Sequence, residues 1–341
     1  MPTGPPGLLP SAEELLTDAH VVRIPLRTRF RGLTHRESLL VRGPVGWAEF
    51  NPFVEYDDPE AARWLQATIE AGWVGWPPPV RDRVPVNATV PAVPPDDVPS
   101  VLARFDGCDT AKVKVAEPGQ SLSDDMDRVA STREVMGPQG RIRVDANGGW
   151  ATEQAVAALA GLARFGLEYA EQPCPSVEEL AAVRVGLAAR GVDVPIAADE
   201  SIRKVEDPIR VRRLGAADLI VVKAPPLGGV RSALNVIAAV GLPAVVSSAL
   251  DTSVGIGAGV ALAAALPELG YACGLGTARL YGGDVTTEPL VAVAGMIAVR
   301  PVMADPELLH RWQAPPQRQD WWLDRLRRCR AVLASSVTEP A

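Results

Sequence analysis

Lysine is scarce in this chain of 341 residues: of 34 basic residues only four are lysine, namely Lys112, Lys114, Lys204 and Lys223. A GC-rich genome that writes arginine for lysine accounts for the scarcity, but not for where the survivors sit. Arginine keeps its proton in proteins, whereas a lysine that is desolvated or placed beside other positive charge can fall from about 10.4 far enough to act as a base. Three of the four lie on apolar β-branched runs, AKVKV and LIVVKAP, where a solvated lysine is least expected. Lys112, Lys114 and Lys223 are therefore read as site residues, and Lys204, past a strand in a loop, as a solvated one. Histidine is scarcer still. His20, His35 and His310 all fall outside the central stretch of the chain, which disfavours a zinc site or a His-based nucleophilic triad there. The four cysteines are far apart with no CxxC, so reduced thiols are expected rather than a disulfide scaffold. No run of four basic residues occurs and the net charge is −7, which argues against a nucleic-acid partner. Runs of about 18 apolar residues are also missing, and the start MPTGPPGLLPSAEELL has neither a basic nor an apolar leader region. A cytoplasmic protein away from membranes is expected, with no obligate protein partner inferred.

What is present is an enzyme-sized hydrophobic content, 47% of residues, with 22% charged. After a Pro- and Gly-rich arm and a short helical stretch at Ser11–Asp18, VVRIPLRTRF and RESLLVRGPVGWAEF read as a small antiparallel sheet. Asp58–Ala71 has apolar residues at helical spacing, and WPPPVRDRVP closes the segment like a linker. From about Val86 the rhythm changes. Eight short runs, NATVPAV, AKVKV, RIRVDAN, LEYAEQP, PIAADES, LIVVKAP, PAVVSSAL and YACGLG, alternate with helical stretches such as Ser123–Met136, Thr152–Phe165, Ser176–Arg190, Gly229–Val240 and Ser253–Leu266. Such alternation predicts parallel strands closed into a TIM-type barrel. An open doubly wound sheet is the competing architecture, but no GxGxxG follows the first strand. An Arg- and Trp-rich helical tail, Gln317–Leu333, is expected to pack back on the N-terminal sheet.

Polar residues recur at the carboxyl ends of these runs: Lys114, Asp145, Glu171, Asp199, Lys223 and Ser247–Ser248, at intervals of 31, 26, 28, 24 and 24 residues. Each interval is one βα unit, so all of them reach the face where barrel enzymes keep their chemistry. Strand alternation puts Lys112 with Lys114, and Arg143 with Asp145 and Asn147, on the barrel side. Three converging carboxylates repel one another unless neutralised, and three hard oxygen ligands suit Mg²⁺, with Mn²⁺ as the alternative. Each residue also has a plainer reading: a strand-end carboxylate as a helix cap, Lys112 as an ion-pair partner, Ser247 and Ser248 as partners of backbone groups, Cys174 as packing.

The motifs Lys112-Val-Lys114, Asp145-Ala-Asn147, Glu171-Gln-Pro, Asp199-Glu-Ser and Lys223-Ala-Pro-Pro-Leu-Gly-Gly together resemble the enolase superfamily in its muconate-lactonising subgroup. The resemblance spans nearly the whole chain. It implies a (β/α)7β barrel, residues 86–276, under an α+β capping domain built from residues 1–85 and the returning segment 277–341. IPLRTRFRG, GWAEFNPF, VNATVPAV and SSALDTSVG look most like an actinobacterial dehydratase branch acting on a cyclohexadiene carboxylate in menaquinone biosynthesis. Carried over, Asp145, Glu171 and Asp199 would hold Mg²⁺, and Lys114 would take the proton α to the substrate carboxylate. Lys112 would steady the resulting enediolate, and Lys223 would be a cation against the ring. Ser247 and Ser248, with Asn147, would contact substrate, and the Arg27–Gly32 loop would be a lid.

Two lysines facing across a pocket also suit two-base racemisation or epimerisation of N-acylamino acids or dipeptides. Acid-sugar dehydration fits less, since its His–Asp base is missing. A silent barrel that merely binds a carboxylate predicts broken ligands, and here all three carboxylates and both strand lysines are intact.

Overall fold

The computed structural model describes residues 9–202 and 207–338. Lys204 and most of the Pro-rich arm, residues 1–8, lie outside the described residues. Helix α1 (Ala12–Leu16) starts at a reciprocal cap in which Ser11 and Glu14 each satisfy the other's backbone N–H. Strands β1 (Ala19–Phe30), β2 (Leu33–Arg42) and β3 (Trp47–Phe50) form an antiparallel sheet in that order. The first turn is made by Arg31 and Gly32, both at positive φ. Helix α2 (Asp58–Ile69) is started by Asp57, whose carboxylate accepts the Glu60 N–H at 2.8 Å, a cap worth about 1 kcal/mol. Its apolar face, Ala61, Trp64 and Leu65, packs against Leu39, Val41 and Phe50 of the sheet.

The VRDRVP stretch is not only a connector: it contains strand β4 (Arg83–Pro85). Three residues are too few to show a period, and Pro85, which has no N–H to give the ladder, takes the last position of the strand. Then follow β5 (Ala88–Val90), α3 (Val98–Leu102), β6 (Thr110–Lys114), α4 (Leu122–Met136), β7 (Arg141–Asp145), α5 (Thr152–Leu162), β8 (Leu167–Glu171), α6 (Val177–Ala189), β9 (Ile196–Ala198), α7 (Asp207–Arg213), β10 (Leu219–Val222), α8 (Val230–Val240), β11 (Ala244–Val246) and α9 (Ser253–Ala265). Strands β5 to β11 make one parallel sheet in sequence order. YACGLG closes it with only two residues. Cys273 exchanges backbone bonds with Pro85 and Asn87 on one edge, and Gly274 with Val246 and Ser248 on the other, at 2.7–3.0 Å. A Cβ on Gly274 would lie 2.5 Å from Ser247 Oγ, so a larger residue at this seam displaces that hydroxyl. The architecture is the (β/α)7β barrel with an N-terminal cap.

Among the described residues no eighth barrel helix follows. The chain instead forms β12 (Met296–Ala298), antiparallel to β4, then α10 (Pro306–Arg311) and α11 (Pro316–Thr338). Helix α11 returns to α2 and β1, burying Trp322, Leu326 and Cys329 in the cap's core. Glu37 of β2 receives the Arg318 guanidinium at 2.6 Å and the Trp322 indole N–H at 2.9 Å. Among the described residues no helix is long and apolar enough to cross a membrane.

The period of two sorts each barrel strand. Val113 and Val144 join the helix-facing core, while Tyr169, Ala197, Leu219, Val221 and Val245 form a separate inward cluster with Tyr271. Four of these inward residues precede a predicted site residue by two positions: Tyr169 before Glu171, Ala197 before Asp199, Val221 before Lys223, Val245 before Ser247. An apolar floor thus lies directly beneath a polar mouth. Lys112, two before Lys114, and Arg143, two before Asp145, are exceptions: the fully buried Arg143 guanidinium lies 4.7 Å from the Tyr169 ring centre and donates to the Ala272 carbonyl at 2.7 Å.

Candidate active site

Parallel pairing aligns the ends of three neighbouring strands, with Lys114 opposite Asp145 and Asp145 opposite Glu171. Hydrogen bonding in the sheet therefore brings the side chains together before any of them interacts. Lys114 Nζ lies 2.6 Å from Asp145 Oδ2, and Lys112 Nζ bridges Asp145 Oδ2 at 3.0 Å and Glu171 Oε1 at 2.8 Å. Lys223 reaches both carboxylate oxygens of Asp199. All six side chains are buried. Strands β6 and β10 are the second and sixth of eight, so Lys114 and Lys223 enter the mouth from opposite sides.

Burial and crowding divide the charges unequally. Burial opposes the Lys112 ammonium, yet Asp145 and Glu171 outweigh it and hold the proton well above the ordinary lysine value. Lys114 moves the other way: burial, aided by the Lys112 charge, lowers it in spite of Asp145. Asp145, despite its burial, is held well below the ordinary carboxylate range by Lys112 and Lys114. Glu171 is pushed up to about 8 by burial first and then by the charge of Asp145, with Asp199 adding to it, and the ammonium groups of Lys112 and Lys223 do not offset these.

Among the described residues no three acidic, thiol or imidazole side chains are gathered as a ready ligand cage, since lysines stand against the three carboxylates. The donor set nevertheless fits Mg²⁺. It consists of three buried hard-oxygen acids at the ends of successive strands, the donor type that a small hard dication takes.

The cap covers this mouth with Phe30, Arg31 and Phe53. Lys114 Nζ is 5.2 Å from the Phe30 ring centre, and the Arg31 and Arg36 guanidinium groups lie 5.1 and 4.2 Å from that of Phe53. Asn147, at positive φ, accepts from Lys114 Nζ at 2.6 Å and donates to Glu200 Oε1 at 3.2 Å, which Arg31 Nη2 also approaches at 3.4 Å. Ser247 and Ser248 line the pocket, but both hydroxyls donate to the Gly274 carbonyl, at 3.4 and 3.0 Å, and Ser248 shares a further bond with Thr277 at 2.7 Å. Their plainer reading as partners of backbone groups therefore describes these bonds.

The predicted residues Lys112, Lys114, Asp145, Asn147, Asp199, Lys223, Ser247 and Ser248 all line one cleft, with Glu171 bonded to Lys112 beneath it. Sequence reasoning misses Thr89, Phe53, Leu250 and Thr277. Thr89 was within reach, since it lies inside the first barrel run, where it pairs in register with Lys112. Phe53, Leu250 and Thr277 lie in loops, where no period marks them. Backbone strain gives a further signal of the mouth: of the six non-glycine residues at positive φ among those described, Arg31, Asn147 and Leu250 line the cleft and Gln172 follows Glu171 directly.

Residues 100–303 match the family described as Enolase C-terminal domain-like, and residues 21–72 match Enolase N-terminal domain-like. An o-succinylbenzoate synthase of Mycolicibacterium smegmatis is 56% identical over 326 residues, covering 95% of this chain and 99% of that one. The o-succinylbenzoate synthase of Mycobacterium tuberculosis is 54% identical over 330 residues, covering 96% and 98%. Among solved structures, a muconate lactonizing enzyme from Pseudomonas fluorescens superposes with a TM-score of 0.74 at 21% identity, covering 87% of this chain and 98% of that one. The L-Ala-D/L-Glu epimerase from Bacillus subtilis superposes with a TM-score of 0.70 at 22% identity, covering 84% and 96%.

Proposed function

The chain belongs to the enolase superfamily and, within it, to the o-succinylbenzoate synthases, and from that premise we propose how its own residues carry the reaction. It is a lyase, removing water from 2-succinyl-6-hydroxy-2,4-cyclohexadiene-1-carboxylate to leave o-succinylbenzoate, a step toward menaquinone. The observation that carries the assignment of roles is the pairing at the mouth: a buried lysine whose proton affinity is lowered, Lys114, beside a buried lysine that stays charged, Lys112.

A proton α to an ionised carboxylate is very weakly acidic, so its removal needs a close base and positive charge where the electrons go. Lys114, in its neutral form, takes that proton. The C–H electron pair moves onto the carboxylate, and the enediolate develops beside the Lys112 ammonium. Asp145, Glu171 and Asp199 would hold Mg²⁺, which when bound supplies further positive charge to the substrate carboxylate. Lys114 then returns its proton to the departing hydroxyl on the same face of the ring. The C–O bond breaks, water leaves, and the ring becomes aromatic. Lys223, entering from the opposite side, faces the ring as a cation. Phe30 and Phe53 exclude water above the site, which strengthens every charge within it. The four free thiols, three of them buried, support a reducing cytoplasmic setting.

A second reading rests on one observation. Lys114 and Lys223 approach from opposite sides, as two-base racemisation of an N-succinylamino acid requires. The deciding experiment is a steady-state assay with the cyclohexadiene carboxylate and Mg²⁺, comparing wild type, Lys114→Ala and an EDTA control. Metal-dependent loss of the diene absorbance that vanishes in Lys114→Ala supports the mechanism. No turnover by metal-loaded wild type overturns the dehydratase reading, and exchange at the α-carbon of N-succinylamino acids in deuterated water then tests the racemase.

A further inference from the structure

Two carboxylates of the cap end on the first turns of two successive barrel helices. Glu70 follows α2; it accepts the Val230 N–H, the Arg231 N–H at 3.2 Å and Arg231 Nη1 at 2.8 Å, at the start of α8. Glu49, in β3, does the same for α9. Its Oε2 accepts the Thr252 N–H at 3.2 Å, Thr252 Oγ1 at 2.5 Å and the Gly255 N–H at 2.8 Å. Its Oε1 accepts Ser38 Oγ and Asn51 Nδ2, both at 2.7 Å. Every partner is a donor, so a carboxylate satisfies the ring and an amide NH₂ does not. Gly255 makes the approach possible, since a Cβ there would lie 2.6 Å from Glu49 Oε2.

The same cap residues hold the loop between β11 and α9. Asn51 Nδ2 also donates to Asp251 Oδ1 at 2.9 Å, and Asp251 Oδ2 accepts the Ala249 N–H at 3.0 Å. The Leu250 carbonyl accepts Arg36 Nε at 3.1 Å and the Tyr281 hydroxyl at 2.7 Å. Leu250 itself has φ +64°, a left-handed conformation that a β-carbon disfavours by about 1–2 kcal/mol and that persists only where its surroundings impose it. Ser247, Ser248, Ala249 and Leu250 form one wall of the cleft.

We infer that Glu49 is a positioning residue for substrate binding: it touches no part of the cleft, yet through Thr252 and through Asn51 and Asp251 it pins the Ser247–Leu250 wall in its strained form. The inference rests on reading the cleft as the dehydratase site. The charged and titratable groups around this pin are Asp251, Arg36, Tyr281 and, at the Ser253 N–H, Asp284, with Lys223 acting on Asp251 from the mouth. Burial and the Asp251 charge push the Glu49 carboxyl up to about 7, so the ionised form of the pin is costly to hold.

The test uses the full chain with Mg²⁺ and compares Glu49→Gln, Glu49→Asp and Glu70→Gln. Two readouts are taken: KM and kcat for the cyclohexadiene carboxylate, and backbone amide exchange across 247–255. Glu49→Gln is expected to raise KM roughly tenfold, the scale of a lost hydrogen bond to a charged group, with kcat held within about threefold. It should also speed exchange at Ala249 and Thr252, with partial rescue in Glu49→Asp. Glu70→Gln should speed exchange at Val230 and Arg231 instead. Wild-type KM and wild-type exchange in a folded Glu49→Gln overturn the inference. If Glu49→Gln does not fold, Thr252→Val, which removes the shortest bond to Glu49, carries the same two expectations. Failure of the wild type to turn over the substrate would sink the dehydratase reading alone, because the exchange readout still judges the pin.

Discussion

Lys114 and Asp145 face each other across neighbouring parallel strands, with Nζ and Oδ2 2.6 Å apart, and Asp145 keeps Lys112 as a second partner at 3.0 Å. The two lysines are therefore not equivalent in what their removal leaves behind. Lys114→Ala should cost about 10²–10⁴ in kcat, the range for loss of a general acid–base group, while leaving the unfolding temperature close to wild type.

Lys112→Ala should behave in the opposite way. It takes a shared ammonium from both Asp145 and Glu171, and stripping one partner from a buried ion pair costs on the order of 3–5 kcal/mol. Parallel thermal unfolding of the two variants checks the contrast. Equal losses of stability would mean that Lys112 is not the strut the geometry indicates.

Mg²⁺ should raise the unfolding temperature of the wild type, by about 2.7 kcal/mol of stability when free metal is at a hundredfold excess over its dissociation constant. Asp145→Asn and Glu171→Gln should each remove most of that gain. Calorimetry without substrate reads this directly, and a metal-dependent shift that persists in both variants would place the ion elsewhere.

Lys223→Ala separates the two chemistries. Dehydration that needs one base should weaken as electrostatic support is lost, whereas racemisation of an N-succinylamino acid should collapse with its second base. Equal loss of both activities would contradict distinct roles for Lys114 and Lys223.

Glu49 makes stability depend on pH with a definite sign. Its carboxyl is raised from 4.5 to about 7 on folding, by burial first and then by Asp251, so the folded protein binds the proton more tightly than the unfolded chain does. Its contribution is complete below pH 4.5, declines as pH rises, and is lost above about 7. Glu49→Gln should flatten that slope by up to about 1.4 kcal/mol per pH unit, measured from urea midpoints across the window. A slope unchanged by the substitution would assign the titration to Asp251 or Asp284, which burial shifts in the same direction.

Much of the mouth was legible because a barrel strand has only two faces. Once Val113 is assigned to the helices, Lys112 and Lys114 must point inward, and βα spacing then carries the same logic to Asp145, Glu171, Asp199, Lys223 and Ser247. What stayed hidden has no period. Glu49 meets Thr252 across 203 residues and Glu70 meets Val230 across 160, and in the sequence each is one more acid in a sheet or helix. Strand β4 was hidden in a proline-rich stretch because its partner β12 comes more than a whole barrel later. The ion-pair reading of Lys112 describes its bridge between Asp145 and Glu171, and that bridge, by holding the proton, supports the proposed role as a cation at the site.

Helix α11 closes the cap from far along the chain: Arg328 meets Asp58 of α2 across 270 residues. During synthesis, then, the sheet and α2 emerge early and wait for their partner while the barrel is made. Until Trp322 and Leu326 arrive, Phe50, Trp64 and Leu65 lack the surface that covers them. A ribosome that stalls after the barrel would release a chain with an assembled floor and mouth but an adhesive, half-covered cap, a natural target for chaperones and proteases.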